Sequence, residues 1–147
     1  MDKWNIYGAA WQMEHYNVKE NSEIDFDNVR EMALLHQPKL IIAGASTYPR
    51  DQDYKKFREI ADEVGAYLLA DIAHGIGLCI ARVNRNPFPY ADFVNASTSK
   101  TLRGPRAGVI YSKKKYSEKV DSAVFPGVLG APQNSLLPGL AASFRYC

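Results

Sequence analysis

Two short apolar runs, each broken off by a chemically loaded residue, limit what this chain can fold into. Leu68-Leu69-Ala70 runs into Asp71-Ile72-Ala73-His74, and Phe93-Val94-Asn95-Ala96 runs into Ser97-Thr98-Ser99-Lys100. A third run, Leu40-Ile41-Ile42-Ala43, stops at Gly44-Ala45-Ser46. Continuous apolar runs of this length read as strands buried on both faces, the habit of parallel sheets. Between the runs at 40 and 66 lies a helical pattern, Tyr54, Phe57, Ile60, Ala61 and Val64, with Asp51 available as its cap and Gly65 as its stop. Strand, helix and strand in that order make a right-handed crossover. The predicted fold is therefore α/β, a mostly parallel sheet with helices on both faces. The carboxyl ends of such strands form the ligand edge, and there Asp71 and Lys100 leave the sheet side by side.

The rest of the chain fits around that unit. Asp25 is placed to cap a helix carrying Phe26, Val29, Met32 and Ala33, which Pro38 ends. Strands are expected over Ala66–Ala70, Phe93–Ala96 and Gly108–Tyr111, and a short helix or turn over Ile76–Ile80. Asn84–Pro89 reads as a loop, Tyr116–Val124 as helical, Phe125–Pro132 as a loop, and a further helix starts near Asn134. Asn5–Tyr16 has room for a strand, but its periodicity is too weak to assign. The apolar stretch Leu136–Phe144 has no evident partner, and the expectation is a piece of a longer protein.

Composition removes several classes of function. The 147 residues are 46% hydrophobic and 23% charged, which is the balance of a soluble globular domain. A formal charge of +2 is too small to imply nucleic acid, and Lys113-Lys114-Lys115 reads as a solvated run. No apolar stretch is long enough to cross a bilayer, and Met1-Asp2-Lys3-Trp4 has no signal-peptide pattern. Cys79 and Cys147 form neither a disulfide framework nor a metal-ligand cluster, which points to a reducing compartment.

Each candidate site residue carries two readings. Asp71 is either a turn cap or a carboxylate that holds a proton on a heterocyclic nitrogen. Opposite charges about 4 Å apart at an effective dielectric near 20 attract by roughly 4 kcal/mol, or about three pKa units before desolvation. Lys100 is either a surface lysine or, if buried among cations such as Arg103 and Arg106, a nucleophile towards an aldehyde. His74 is a core histidine or a site residue, and Gly104 between two arginines is a turn or an anion site. His15 and His36 have no partners legible in the sequence. Ser46 lacks the second glycine of a hydrolase elbow, since Tyr48 stands in its place. The glycine-rich phosphate loop of a nucleotide-binding domain is missing as well.

With these residues in view, the chain resembles serine hydroxymethyltransferase, a pyridoxal-phosphate enzyme of the aspartate-aminotransferase fold type. The likeness rests on Pro38-Lys39-Leu40-Ile41-Ile42-Ala43-Gly44, Ile60-Ala61-Asp62, Gly65-Ala66-Tyr67-Leu68, Ala70-Asp71-Ile72-Ala73-His74, Lys100-Thr101-Leu102-Arg103-Gly104-Pro105-Arg106 and Phe125-Pro126-Gly127. It runs in order from about Phe26 onward. The resemblance implies that residues 1–147 are the central part of a fold-type-I large domain, without its N-terminal part or the C-terminal small domain. It implies pyridoxal 5'-phosphate as cofactor, with tetrahydrofolate as co-substrate, and transfer of the one-carbon unit of serine to give glycine. Lys100 matches the lysine that bonds the cofactor, and Asp71 the partner of the ring nitrogen. His74 and Ser46 match residues that contact the ring oxygen or the substrate carboxylate. Ser97 stands for a threonine beside the lysine, and Arg106 for an arginine lining the substrate site. A homodimer or homotetramer with shared sites is implied, and no nucleic acid or membrane. A cytoplasmic location is the expectation, with mitochondrial and plastid forms left open.

The departures from the family pattern carry weight too. Ser99 takes the place of a histidine that contacts the phosphate. Losing one charge-assisted hydrogen bond costs about 1.5–3 kcal/mol, roughly tenfold to a hundredfold in affinity. Gly130-Ala131 replaces a glycine pair, and a side chain at Ala131 crowds the phosphate that this loop approaches from the neighbouring subunit. Residues 75–82 depart from the usual small-residue run. The family's phosphate cup, the ring stacked on the cofactor, the acid of serine cleavage and a C-terminal arginine have no match. The chain alone is therefore expected to be inactive. A second reading follows, a degenerate paralogue that keeps the fold and dimer surface as a structural or regulatory partner.

Overall fold

The computed structural model describes residues 6–131 and 133–146. Four strands, β1 (Leu40–Ala43), β2 (Tyr67–Asp71), β3 (Phe93–Ser97) and β4 (Gly108–Ser112), form one sheet in that spatial order. The first three run parallel, and β4 returns antiparallel to β3. The chain is thus α/β with an open, mostly parallel sheet, as the apolar runs predict. β1 has the bounds read from the sequence. β3 and β4 run one residue further and β2 is shifted by one, because Ala66 N bonds back to Ala61 O while Asp71 finds a ladder partner in Asn95, Ser97 in Gly108 and Ser112 in Phe93.

A short helix α1 (Ile6–Ala10) occupies the N-terminal stretch that the sequence left unassigned; Asn5 lies outside the described residues. α2 (Phe26–His36) begins where Asp25 Oδ1 accepts from the Asn28 amide at 3.3 Å. α3 (Tyr54–Glu63) is capped by Asp53, not by the expected Asp51. A capping carboxylate must reach the amide three residues on. With the helix starting at Tyr54, Asp53 meets Lys56 N at 3.2 Å, while Asp51 accepts from Gln52 N and Arg85 N. Gly65 ends this segment as expected, at φ +69°, a conformation that glycine adopts without strain.

α3 lays Tyr54, Phe57, Ile60 and Ala61 on one face of the sheet, against Ile41, Ala43, Leu68, Ala70, Val94 and Ala96. Phe57 and Leu68 are fully buried, and burying a side chain of that size stabilises by roughly 2–3 kcal/mol. The opposite face corrects an expectation. Leu40 and Ile42 are 41% and 40% exposed, so β1 is covered on one face among the described residues. An apolar run records that burial is tolerated, not that a neighbour supplies it. Tyr116, in the turn Lys114–Tyr116, does pack on that second face, with its ring 5.5 Å from Tyr67 and 5.2 Å from Phe93. The adjacent Lys113 is no free surface charge, because its Nζ lies 3.0 Å from the buried Asp92.

The predicted short helix is α4 (Ile76–Ile80), and α5 (Ser117–Ser122) ends two residues earlier than expected, in an irregular turn over Ala123–Val128. α6 (Leu136–Arg145) gives the apolar segment the partner that the sequence did not reveal. Gly139 sits against Pro105, where a Cβ would come within 2.5 Å of the proline ring, and Ser143 Oγ donates to Leu102 O at 2.7 Å. Leu137 and Phe144 stay exposed. No described helix is long and apolar enough to cross a membrane.

Candidate active site

Because β4 runs antiparallel to β3, the chain must reverse at the carboxyl edge of the sheet, and residues 98–107 do so in a compact loop. Thr98 closes it. This fully buried residue has its hydroxyl 2.6 Å from Pro105 O and 2.8 Å from Ala107 O, and accepts from Ala107 N at 3.0 Å. Its own carbonyl accepts from Gly104 N at 2.8 Å. Inside the loop Arg103 N donates to Lys100 O at 2.9 Å, with Arg103 held at φ 55°. A non-glycine residue there costs roughly 1–2 kcal/mol, which the surrounding bonds must offset.

Lys100 therefore stands at the head of a tight turn, and its Nζ lies 2.8 Å from His74 Nε2. With the ammonium donating, the imidazole carries its ring proton on Nδ1. Thr101 ties the two segments together: its hydroxyl donates to His74 O at 3.1 Å and accepts from Gly77 N at 2.9 Å. Gly77 admits this approach, since a Cβ there would fall 2.8 Å from Thr101 O. The expected burial of Lys100 is not found. Lys100, Arg103 and Arg106 are all exposed, because the loop rides on the rim of the sheet.

Asp71 ends β2 half-buried. Its Oδ1 accepts from Ala73 N at 2.9 Å, as a turn cap does, yet it stands on the same edge as the lysine loop. Gly44 packs directly against it: a Cβ there would lie 2.6 Å from Asp71 Cβ and 2.5 Å from Asp71 O. Beneath, burial pushes the Tyr54 hydroxyl well above its ordinary value, and the negative charges of Cys79, Asp51 and Asp71 add to the shift. Ser97 Oγ and Ser99 Oγ are 3.4 Å apart at the end of β3.

The remaining predicted residues are less closely engaged. Ser46 is exposed on the loop after β1 and Arg106 on the lysine loop, and neither makes a hydrogen bond or ion pair among the described residues. Gly130 and Ala131 lie exposed before α6, with open space where a Gly130 Cβ would stand. A surface cleft elsewhere, beside Tyr48 and Lys56, is charge-matched from within, as Arg85 pairs with Asp51 at 3.3 Å and Asp53 at 3.0 Å.

Four residues escaped the sequence reading: Asn95, Thr98, Thr101 and Ser143. The two threonines belong to a hydroxyl-rich run after a strand, which is a signal for turn closure. Asn95 is the lone amide in an apolar strand. Its Oδ1 is buried without a hydrogen-bond partner, and its register partner is Asp71.

A primary amine beside an imidazole, a carboxylate one strand away and two hydroxyls make a donor set that suits an aldehyde-bearing, protonated heterocycle such as pyridoxal phosphate. The site fits that chemistry because Lys100 Nζ and His74 Nε2 meet on the exposed rim, where an incoming aldehyde can reach the amine. Compared with known protein families, the chain matches serine hydroxymethyltransferase over residues 1–147.

Proposed function

Because this chain belongs to the serine hydroxymethyltransferase family, we propose that its sheet edge binds pyridoxal 5'-phosphate through Lys100 and serves transfer of the one-carbon unit of serine to tetrahydrofolate, giving glycine. The observation that carries the reading is the 2.8 Å approach of Lys100 Nζ to His74 Nε2 on the edge that also holds Asp71. His74 takes the proton that the Lys100 ammonium must lose before its nitrogen attacks an aldehyde. Asp71 holds a proton on the ring nitrogen. The bound cofactor supplies the electron sink for cleavage of the Cα–Cβ bond of the amino acid. Arg106 presents an exposed guanidinium to the substrate carboxylate, a fork that matches its geometry. Ser46, Ser97 and Ser99 line the same edge with hydroxyls. Gly130 and Ala131 belong to the face through which a second copy completes the site.

The test is direct. The protein is incubated with pyridoxal phosphate, reduced with borohydride and digested. The cofactor mass is expected on the peptide carrying Lys100, and in the full-length parent enzyme glycine is expected to form from serine and tetrahydrofolate. The exposed Ser99, with Ser97 as its neighbour and no ring donor to offer a phosphate, favours a second reading, a paralogue with weakened cofactor binding. No labelling at saturating cofactor would select that one.

A further inference from the structure

The turn that Lys100 heads is held from outside by α6. The peptide group joining Leu102 to Arg103 is gripped at both ends: its N–H donates to Lys100 O at 2.9 Å, and its carbonyl accepts from Ser143 Oγ at 2.7 Å. Two glycines make room for this contact, one on each side. A Cβ at Gly104 would fall 2.9 Å from Ser143 Oγ, and one at Gly139 would fall 2.5 Å from Pro105 Cγ. Gly104 does not lie in the left-handed region, so its missing side chain serves the close approach and not the backbone. Ser143 does not favour the helix that carries it, since alanine is the better former in a helix interior.

Arg103 gives that grip a task. At φ 55° it holds a conformation from which any residue with a side chain gains by escaping. The short way out is a flip of the Leu102–Arg103 peptide, which would take the N–H from Lys100 O and undo the turn. The Ser143 hydroxyl opposes the flip by holding the carbonyl end. We infer that Ser143 is a positioning residue for Lys100, its bond to Leu102 O keeping the strained turn closed so that the amine stays on His74. The inference rests on the functional reading above and adds to it a residue from a different element. In this role Ser143 touches neither cofactor nor substrate and acts through the turn.

Ser143→Ala, Arg103→Gly and the double variant form a cycle with the unaltered chain. Alanine suits the helix and leaves Gly139 against Pro105, so the fold is kept. Each protein is read twice: by hydrogen exchange at the amide of residue 103 without cofactor, and by the initial rate at which borohydride fixes pyridoxal phosphate to Lys100. In Ser143→Ala that amide is expected to exchange about fivefold faster, the shift equivalent to one net hydrogen bond of about 1 kcal/mol. Labelling of Lys100 follows the fraction of chains with the turn closed and is expected to fall about twofold. Glycine takes φ 55° without strain, so in the Arg103→Gly background the same replacement should leave both readings nearly unchanged. A serine that only docked α6 would act alike in both backgrounds, and that result would overturn the inference. So would an unchanged amide in Ser143→Ala, a faster amide with unchanged labelling, or equal quickening at Thr98, which marks collapse of the whole loop. Failure of the unaltered chain to take up pyridoxal phosphate would overturn the broader functional reading instead, while the exchange at residue 103 still reads whether Ser143 holds the turn.

Discussion

Replacing Asp92 by asparagine takes one negative charge from a place where the chain has sunk it almost out of water. Asp92 is 6% exposed, just before β3, at the sheet edge opposite the lysine. Its Oδ2 accepts from Arg58 Nη1 at 2.8 Å and from Leu68 N at 3.0 Å, and its Oδ1 from Lys113 Nζ at 3.0 Å. An asparagine keeps one oxygen for these donors but turns an NH2 group towards a cation. Breaking a buried pair from one side costs about 3–5 kcal/mol. Arg58 keeps Asp62 at 2.8 Å and Ala66 O at 3.0 Å, so the low end, about 3 kcal/mol, applies here. Lys113 is 40% exposed, and its removal by Lys113→Ala should cost no more than about 1 kcal/mol. Urea denaturation followed by circular dichroism measures both. Burial opposes ionisation of Asp92, but the Leu68 amide and the bonds from Lys113 and Arg58 outweigh it and hold the carboxyl below its ordinary 3.8. The contribution is therefore full above that ordinary value and disappears as pH falls through the folded-state value. The gap between the two proteins should narrow in acid. A cost below about 1 kcal/mol for Asp92→Asn, or an equal cost for Lys113→Ala, would refute this account of the network.

Three further outcomes are expected. Thr98→Val leaves the Ala107 amide and two carbonyls without their hydroxyl partner and should cost about 1–3 kcal/mol in denaturant, with Thr98→Ser recovering most of it. Gly77→Ala forces a Cβ to within 2.8 Å of Thr101 O, so the lysine loop must shift away from His74. Borohydride-trapped cofactor on Lys100 should fall several-fold, while far-ultraviolet circular dichroism is unchanged. Tyr54 has its hydroxyl raised above its ordinary 10.0 by burial, and so stabilises fully below that value and progressively less as pH rises beyond it. Between pH 9 and 11, as a rough window about the free phenol value, the protein should lose more stability in denaturant than Tyr54→Phe does.

What the sequence disclosed depended on how local each cause was. The Asp25 cap, the Gly65 stop and the stripe of Tyr54, Phe57, Ile60 and Ala61 are settled within one turn of helix, and all were legible. Asp51 and Asp53 were not separable by type, because both are capping acids. The choice fell to the amide of Arg85, which captures Asp51 from 34 residues away. The run Leu40–Ala43 announced a strand but not which of its faces would be covered. At the site, the edge position of Asp71 and Lys100 followed from where their strands end. The meeting of Lys100 with His74 needed the hairpin and Thr101 to bring together positions 26 apart. That Asn95 shares a face with Asp71 was set by register alone, since a shift of one residue would have turned it into the core.

The return of β4 along β3 has a consequence for the order in which this part of the molecule comes apart. A hairpin opens from its free ends, here Phe93 and Ser112, where Asp92 acts as a rivet through Lys113. The bend that carries the lysine is the last section to unzip, and the backbone amide of Thr98, which donates to Ala107 O at 3.0 Å, should be the slowest of this ribbon to trade hydrogen with water. Thermal fraying is thus directed to the rim farthest from Lys100, where the Asp92 network must resist it.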